Sequence, residues 1–218
     1  MKKKRVTGGN FFALGLYAFL GLGMEVLIMM IEQGIYGRDL SELGPAQHVL
    51  HWVITCIVWG VFAIFLARWA KGRYRFDIGG QRQNIPVWGI LLALLLTGVC
   101  VALNAWSWGG LKILGEFSRK GPLLFTFQYI YYIFETLLIF SVIAYGQKAG
   151  ELWFERRKIP WGGLLAGLTW GLAHALTRGS IFTGLEALLA GILYGCIYLL
   201  VKKRALYALP LIFLAFAL

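Results

Sequence analysis

A carboxylate and an imidazole stand where the chain is otherwise written in apolar residues. Glu135 follows Tyr129, Tyr131, Tyr132 and Phe134, and His174 closes the run Trp170-Gly-Leu-Ala-His174. No lysine or arginine lies within ten residues of Glu135 on either side. An ionised side chain at mid-bilayer costs about 2.5–3.5 kcal/mol on insertion scales, so such a residue is kept for a partner or for chemistry. The chemistry would be a carboxylate acting as general base on a water, with an imidazole to polarise or position the reacting group. The alternative is a protonated glutamic acid hydrogen-bonded across a helix interface, and a histidine with a structural bond. Trp170 and His174 are four residues apart and share one helix face. Gly163, Gly167 and Gly171 form a small-residue ridge on the same helix, which lets a neighbour approach closely and is expected to carry His174 toward another helix's carboxylate.

Two further acids fall within apolar stretches. Glu186 opens a later helix just after Arg178–Ser180, where an acid complements the helix dipole and can pair with Arg178, or can bind substrate. Glu25 lies near the middle of the first apolar stretch, between glycines, with nothing in the sequence to separate packing from chemistry. His48 and His51 have i, i+3 spacing, but no His-Glu-x-x-His helix accompanies them, and a metal-free interfacial pair is expected. No Gly-x-Ser-x-Gly, phosphate-binding loop or dinucleotide fingerprint occurs, no metal site is expected, and the residues name no cofactor.

The elements that must position these groups are membrane helices. The 218 residues are 59% hydrophobic, with mean hydropathy +0.71, well above the roughly 45–50% apolar content of soluble domains. Several windows reach the roughly 20 residues that cross a hydrocarbon core as a helix. The alternating segments of a transmembrane barrel are absent. The pattern predicts an all-α, polytopic bundle of about seven helices forming a single integral-membrane domain over 1–218. The spans fall near 11–32, 48–68, 86–104, 122–145, 160–178, 181–201 and 205–218. Pro86, Pro122 and Pro160 stand at span starts, where a missing N–H costs nothing, whereas Pro210 lies inside the last stretch and predicts a kink or partial insertion. No connection is long enough for a soluble domain, and no inverted repeat is visible.

The net charge of +11 reports topology and not nucleic acid. Sixteen of the 21 Lys and Arg fall in Lys2–Arg5, Arg68–Arg82, Lys148–Lys158 and Lys202–Arg204, and five in the alternate connections. The positive-inside rule then predicts a cytoplasmic N-terminus in the cell membrane, with 33–47 and 105–121 outside and Trp106, Trp108 and Phe117 in an interfacial belt. The run from Phe11 to Ile31 is too long for a signal-peptide core and is read as a retained span. Cys56, Cys100 and Cys196 sit in three different spans, without metal or redox spacing, and are read as packing residues.

Glu135, Trp170-Gly-Leu-Ala-His174, Leu188-Leu-Ala-Gly191-Ile-Leu-Tyr194-Gly-Cys-Ile-Tyr198 and Pro210 occur in an order that resembles the CPBP family, the CAAX-processing and bacteriocin-processing (Abi) intramembrane proteases. The resemblance covers about 128–214, and it implies a family-like core over about 122–218. It implies catalytic roles for Glu135 and His174, and a substrate-binding setting that takes in Trp170 where the family has Phe; Glu186 is the further substrate-binding candidate. The family's second Glu is replaced by Phe134 or Thr136, its Arg by Ile139 or Phe140, and its second His falls near Leu214. A cooperative set that loses several members loses most of its rate. The expectation is therefore a divergent homologue, of reduced or absent activity, that binds or cleaves a hydrophobic peptide or lipidated protein within the bilayer, in the maturation of or immunity to a secreted peptide. Two other readings stay open: a small transporter, or its binding subunit, holding a cationic solute at Glu135 and Glu186, and a structural subunit for another membrane protein.

Overall fold

The computed structural model describes residues 6–39 and 42–218, so the basic start Lys2–Arg5 lies outside the described residues. Every regular element among them is helical: α1 (Gly8–Tyr36), α2 (Pro45–Tyr74), α3 (Val87–Trp108), α4 (Lys112–Phe154), α5 (Trp161–Ala166), a π turn (Gly167–Gly171), α6 (Leu172–Thr177), α7 (Ile181–Leu200) and α8 (Ala205–Ala217). Five of these, α1 to α4 and α7, are long and apolar enough to cross a membrane. Large side chains such as Leu20, Ile57, Val61, Leu91, Leu95 and Ile133 face outward, as suits a lipid solvent. Lipid tails are as apolar as leucine, so cohesion between the helices comes from close packing and internal hydrogen bonds.

Helix α4 is the axis, packed against α1, α2, α5 and α8, while α7 joins α3 to α5 and α6. Its lower half is sealed: Leu138, Ile139, Phe140, Ile143 and Tyr145 are fully buried. The predicted span 122–145 is only its middle. The helix starts at Lys112 and is broken once, at Gly121 (φ 69°), just before Pro122. Proline disfavours a helical predecessor and glycine accepts a positive φ, so this dipeptide divides α4 into an outer arm, 112–120, and a long spanning part. The connection 105–121, expected as an external loop, is therefore largely helical, with Lys112 and Glu116 buried against the bundle. Trp106, Trp108 and Phe117 are exposed there. Proline caps two other helices as expected, at Pro86 and Pro160, and Pro45 opens α2, which starts earlier than the predicted span at 48. Pro210 leaves α8 continuous from Ala205 to Ala217, its Ala208, Ile212 and Ala215 fully buried.

One end of the bundle is basic and tied together by its turns. Lys71 Nζ donates to Asp77 Oδ2 (2.9 Å), the Gly79 amide donates to Asp77 Oδ1 (2.9 Å), and the Ala205 amide donates to the Gly79 carbonyl (3.1 Å). Lys203 donates to Glu151, whose Oε1 also accepts from Gln147 Nε2 (2.9 Å). The Lys71 ammonium, followed by the Gly79 amide, holds the Asp77 carboxyl below its ordinary value. A carboxylate depressed in the folded state adds stability above its unfolded pKa of about 3.9, and that contribution fades as pH falls through the lower folded value. Asp77 is solvated, so the effect is local. As pH falls below about 3.9 the protection of the Gly79 amide, its exchange relative to the intrinsic rate at each pH, should fall, and Asp77→Asn should show no such fall; a protection factor unchanged on acidification in the native chain would disprove the coupling.

Candidate functional site

The site is built on one face of α4. Gln128, Tyr131, Tyr132 and Glu135 recur at i, i+3, i+4 and i+7, the spacing that aligns side chains along a helix. In a helix surrounded by other helices this face meets protein and not lipid, and each of its four polar groups has a partner from another segment.

Glu135 forms the deep member. Trp170 Nε1 donates to its Oε1 at 3.1 Å, which joins α4 to the π turn. Trp170 is buried and packs edge-on against Phe216 of α8 (ring centroids 5.8 Å) and beside Tyr194 of α7 (6.2 Å). The turn that carries it is wide: the Leu172 amide reaches back five residues to the Gly167 carbonyl. Such π turns are frequent at functional sites. The glycine ridge explains how the turn fits. A Cβ on Gly167 would lie 2.7 Å from the Leu188 carbonyl oxygen, and one on Gly171 2.7 Å from the Leu188 amide nitrogen. The ridge thus docks α5 and the π turn on α7, while the opposite side of the turn delivers Trp170 to α4.

His174 follows one turn later, its ring 4.6 Å from that of Trp170 and its Nδ1 2.8 Å from the Trp170 carbonyl oxygen. A carbonyl oxygen only accepts, so Nδ1 carries the proton and Nε2 of the neutral ring is left as a base. Glu135 and His174 make no direct bond; Trp170 stands between them and bonds to both, through its indole N–H and its backbone carbonyl. Glu135 Oε2 accepts no hydrogen bond from the described residues. A carboxylate oxygen and an imidazole nitrogen, both acceptors, thus flank one tryptophan. Either group can accept a proton from a water. The Trp170 N–H is already committed to Glu135, so it is not free to serve as the donor that an oxyanion would need.

Glu186 is placed elsewhere. On the outer part of α7, its Oε2 accepts from Ser107 Oγ of α3 at 3.3 Å, so it does not share a constellation with Glu135 and His174.

Two wings of the α4 face lie outside the sequence expectation. On one, Tyr131 donates to both oxygens of Glu25 (2.9 and 3.0 Å), and Glu25 and Glu32 of α1 hold His51 of α2 between them. His51 Nδ1 is 2.6 Å from Glu32 Oε2 and Nε2 is 3.3 Å from Glu25 Oε1. The expected interfacial histidine pair is thereby split: His51 is fully buried, and His48 instead packs its ring edge-on to Trp52. On the other wing, Glu116 Oε1 accepts from Tyr132 (2.7 Å) and from Gln128 Nε2 (3.1 Å), while Glu116 Oε2 and Gln128 Oε1 are buried without a donor among the described residues. Lys112 Nζ, 4.6 Å above the rings of Tyr132 and Phe216, donates to the Phe216 carbonyl (3.0 Å). Tyr129 donates to the Ala217 carbonyl (2.9 Å) and Asn104 to that of Ala215 (3.1 Å). Three side chains from α3 and α4 thus satisfy the last carbonyls of α8, groups that no bond within the helix can satisfy.

The spacing of Glu25 and Glu32, seven residues apart on one face of α1, is the sequence signal for the first wing, and the i, i+4 spacing of Lys112 and Glu116 that for the second. No protein-family model, no curated protein and no solved structure matches the chain.

Proposed function

We propose that the chain is a seven-span protein of the cell membrane with its N-terminus cytoplasmic, a divergent relative of the CPBP intramembrane proteases that binds a hydrophobic peptide or lipidated segment beside Glu135 and His174 and cleaves it slowly or not at all. The observation that carries this reading is the Trp170 Nε1 bond to Glu135 Oε1, which ties Glu135 to the helix turn that also carries His174. The helix 161–177 and the short α8 supply the fifth and seventh spans, and the basic end, rich in Lys and Arg at 68–82, 148–158 and 202–204, is the cytoplasmic one. The committed Trp170 N–H and the apolar residues in place of an arginine on the turn after Glu135 favour binding over turnover.

The test is photo-crosslinking of a hydrophobic or lipidated peptide to the protein in bilayers, with mass spectrometry for cleavage. Glu135→Gln is expected to lower any cleavage by about 10²-fold or more, the scale of a lost general base, while crosslinking persists. Unchanged cleavage in that variant sinks the assignment of the base, and absence of any crosslink sinks the reading. A second reading is favoured by the oxygens of Glu116 and Gln128 that have no donor among the described residues, which suit a cation or protonated amine better than Glu135 and Glu186 do. Uptake of methylammonium by proteoliposomes, lost in Glu116→Gln and with no peptide crosslinked, would carry it.

A further inference from the structure

The wing formed by α1, α2 and Tyr131 has no part in the peptide-binding reading, and its atoms are out of balance. His51, fully buried, presents both ring nitrogens to carboxylate oxygens. A neutral ring has one N–H, so one nitrogen would face an acceptor with a lone pair; the contacts are satisfied only when the site holds an additional proton. With an imidazolium between two carboxylates the group still carries one net negative charge. Among the described residues no lysine or arginine pairs with either carboxylate.

A second observation lies on the same face of α2. Thr55 and Trp59 follow His51 at i+4 and i+8, are 0% and 1% exposed, and leave the Thr55 hydroxyl and the Trp59 indole N–H without partners among the described residues. Elsewhere in the bundle, helical hydroxyls return to the carbonyl four residues back, as at Thr97, Thr126, Thr136, Ser141 and Thr169. Thr55 does not. Trp59 packs against Tyr131 with ring centroids 4.8 Å apart, and Tyr131 is the residue that bonds Glu25. An unpaired hydroxyl and an unpaired N–H on the face of α2 that carries His51, with Tyr131 linking Trp59 to Glu25, make the kind of polar setting in which a buried water finds its two to four partners.

We propose that Glu25, Glu32 and His51 form an intramembrane proton-binding site, with Glu25 the seat of the exchangeable proton and Thr55 and Trp59 the groups that hydrate it. Glu32 is the fixed partner, at 2.6 Å from the ring and nearly buried; Glu25 is the looser one, at 3.3 Å, and keeps 24% of its side-chain surface exposed. On uptake a hydronium ion gives its proton to a Glu25 oxygen and leaves as water; no other covalent bond forms or breaks. The titratable groups around the site are Glu25 and Glu32 on α1, His51 and Cys56 on α2, and Tyr131 with Glu135 one turn beyond it on α4, and Thr55 shares the helix face of His51. Lys120, 5.2 Å from the centre of the Trp52 ring, faces the same end of α2. Tyr131 places the proton seat next to the α4 face that carries Glu135.

The proposal is tested by pH-difference infrared spectroscopy of the full chain in lipid bilayers. Acidification is expected to produce, beside the absorption of the solvated Asp and Glu, a carboxylic-acid C=O component that is missing from Glu25→Gln and retained in Glu135→Gln, which keeps this test independent of the peptide-binding reading. Thr55→Val, which preserves shape and removes only the hydroxyl, is expected to raise the pH midpoint of that band by about one unit, the equivalent of one hydrogen bond to the charged form. A difference spectrum in which Glu25→Gln and the native chain show the same carboxyl absorption overturns the site. A midpoint unmoved in Thr55→Val overturns the role of Thr55.

Discussion

His51→Leu should destabilise the bundle by about 3–5 kcal/mol, the scale found when one member of a buried ionic group is removed and the others are left uncompensated. The reason is geometric. Glu25 and Glu32 project from one face of α1, and the imidazole is what stands between them. Without it two carboxylates share a low-dielectric interface, and Glu32 loses its 2.6 Å partner. The measurement is equilibrium unfolding in mixed micelles. The informative companion is the combined change Glu25→Gln, His51→Leu and Glu32→Met, which keeps an acceptor for Tyr131 and removes every charge. Replacing a whole buried ionic group by packed neutral residues is often neutral or stabilising, so the triple variant should return to within about 1 kcal/mol of the native chain. A single variant as stable as the native chain would show that the three groups carry no mutual dependence.

Gly167→Val is the second large effect. The added Cβ would meet the Leu188 carbonyl oxygen at 2.7 Å, and that oxygen belongs to the α7 backbone, which cannot swing aside as a side chain can. The two helices must separate, forfeiting the dispersion contacts that hold membrane helices together. The expected cost is about 3 kcal/mol, at the upper end of overpacking, with loss of peptide crosslinking because Trp170 rides on the same turn. Gly98 supplies the control. It lies inside α3, and a methyl group added to it would have nothing within 4 Å, so Gly98→Ala should be neutral or stabilise by about 0.5–1 kcal/mol. Equal effects at both positions would mean that close packing of the ridge against α7 is not what makes Gly167 necessary.

The membrane class and the approximate helix positions are legible in the sequence because hydropathy and proline placement act locally. Glu135, Trp170 and His174 are legible for the same reason, since a polar atom in an apolar run stands out wherever it pairs. Which groups meet depends on how helices far apart in sequence cross, and no local pattern encodes that. Glu25 stands alone among glycines, and Glu32 sits at the edge of its apolar stretch. A span started at 48 puts His51 at an interface, whereas α2 begins at Pro45 and sets His51 two turns inside. The glycines and proline around Lys112 and Glu116 suggest an irregular connection, whereas one dipeptide, Gly121–Pro122, absorbs the break and leaves both flanks helical.

That dipeptide also sets a mechanical scale. The outer arm, 112–120, is about 13 Å long at 1.5 Å per residue, and Lys112 at its tip reaches the Phe216 carbonyl on α8. A swing of about 20° about Gly121 would carry the tip about 4–5 Å, more than the reach of a hydrogen bond. The arm is therefore a lever with its fulcrum in the chain and its load at the end of another helix: a small rotation at Gly121 would break the Lys112 bond to α8 and uncover Glu116 in one stroke, while Tyr129 and Asn104 keep their hold on Ala217 and Ala215.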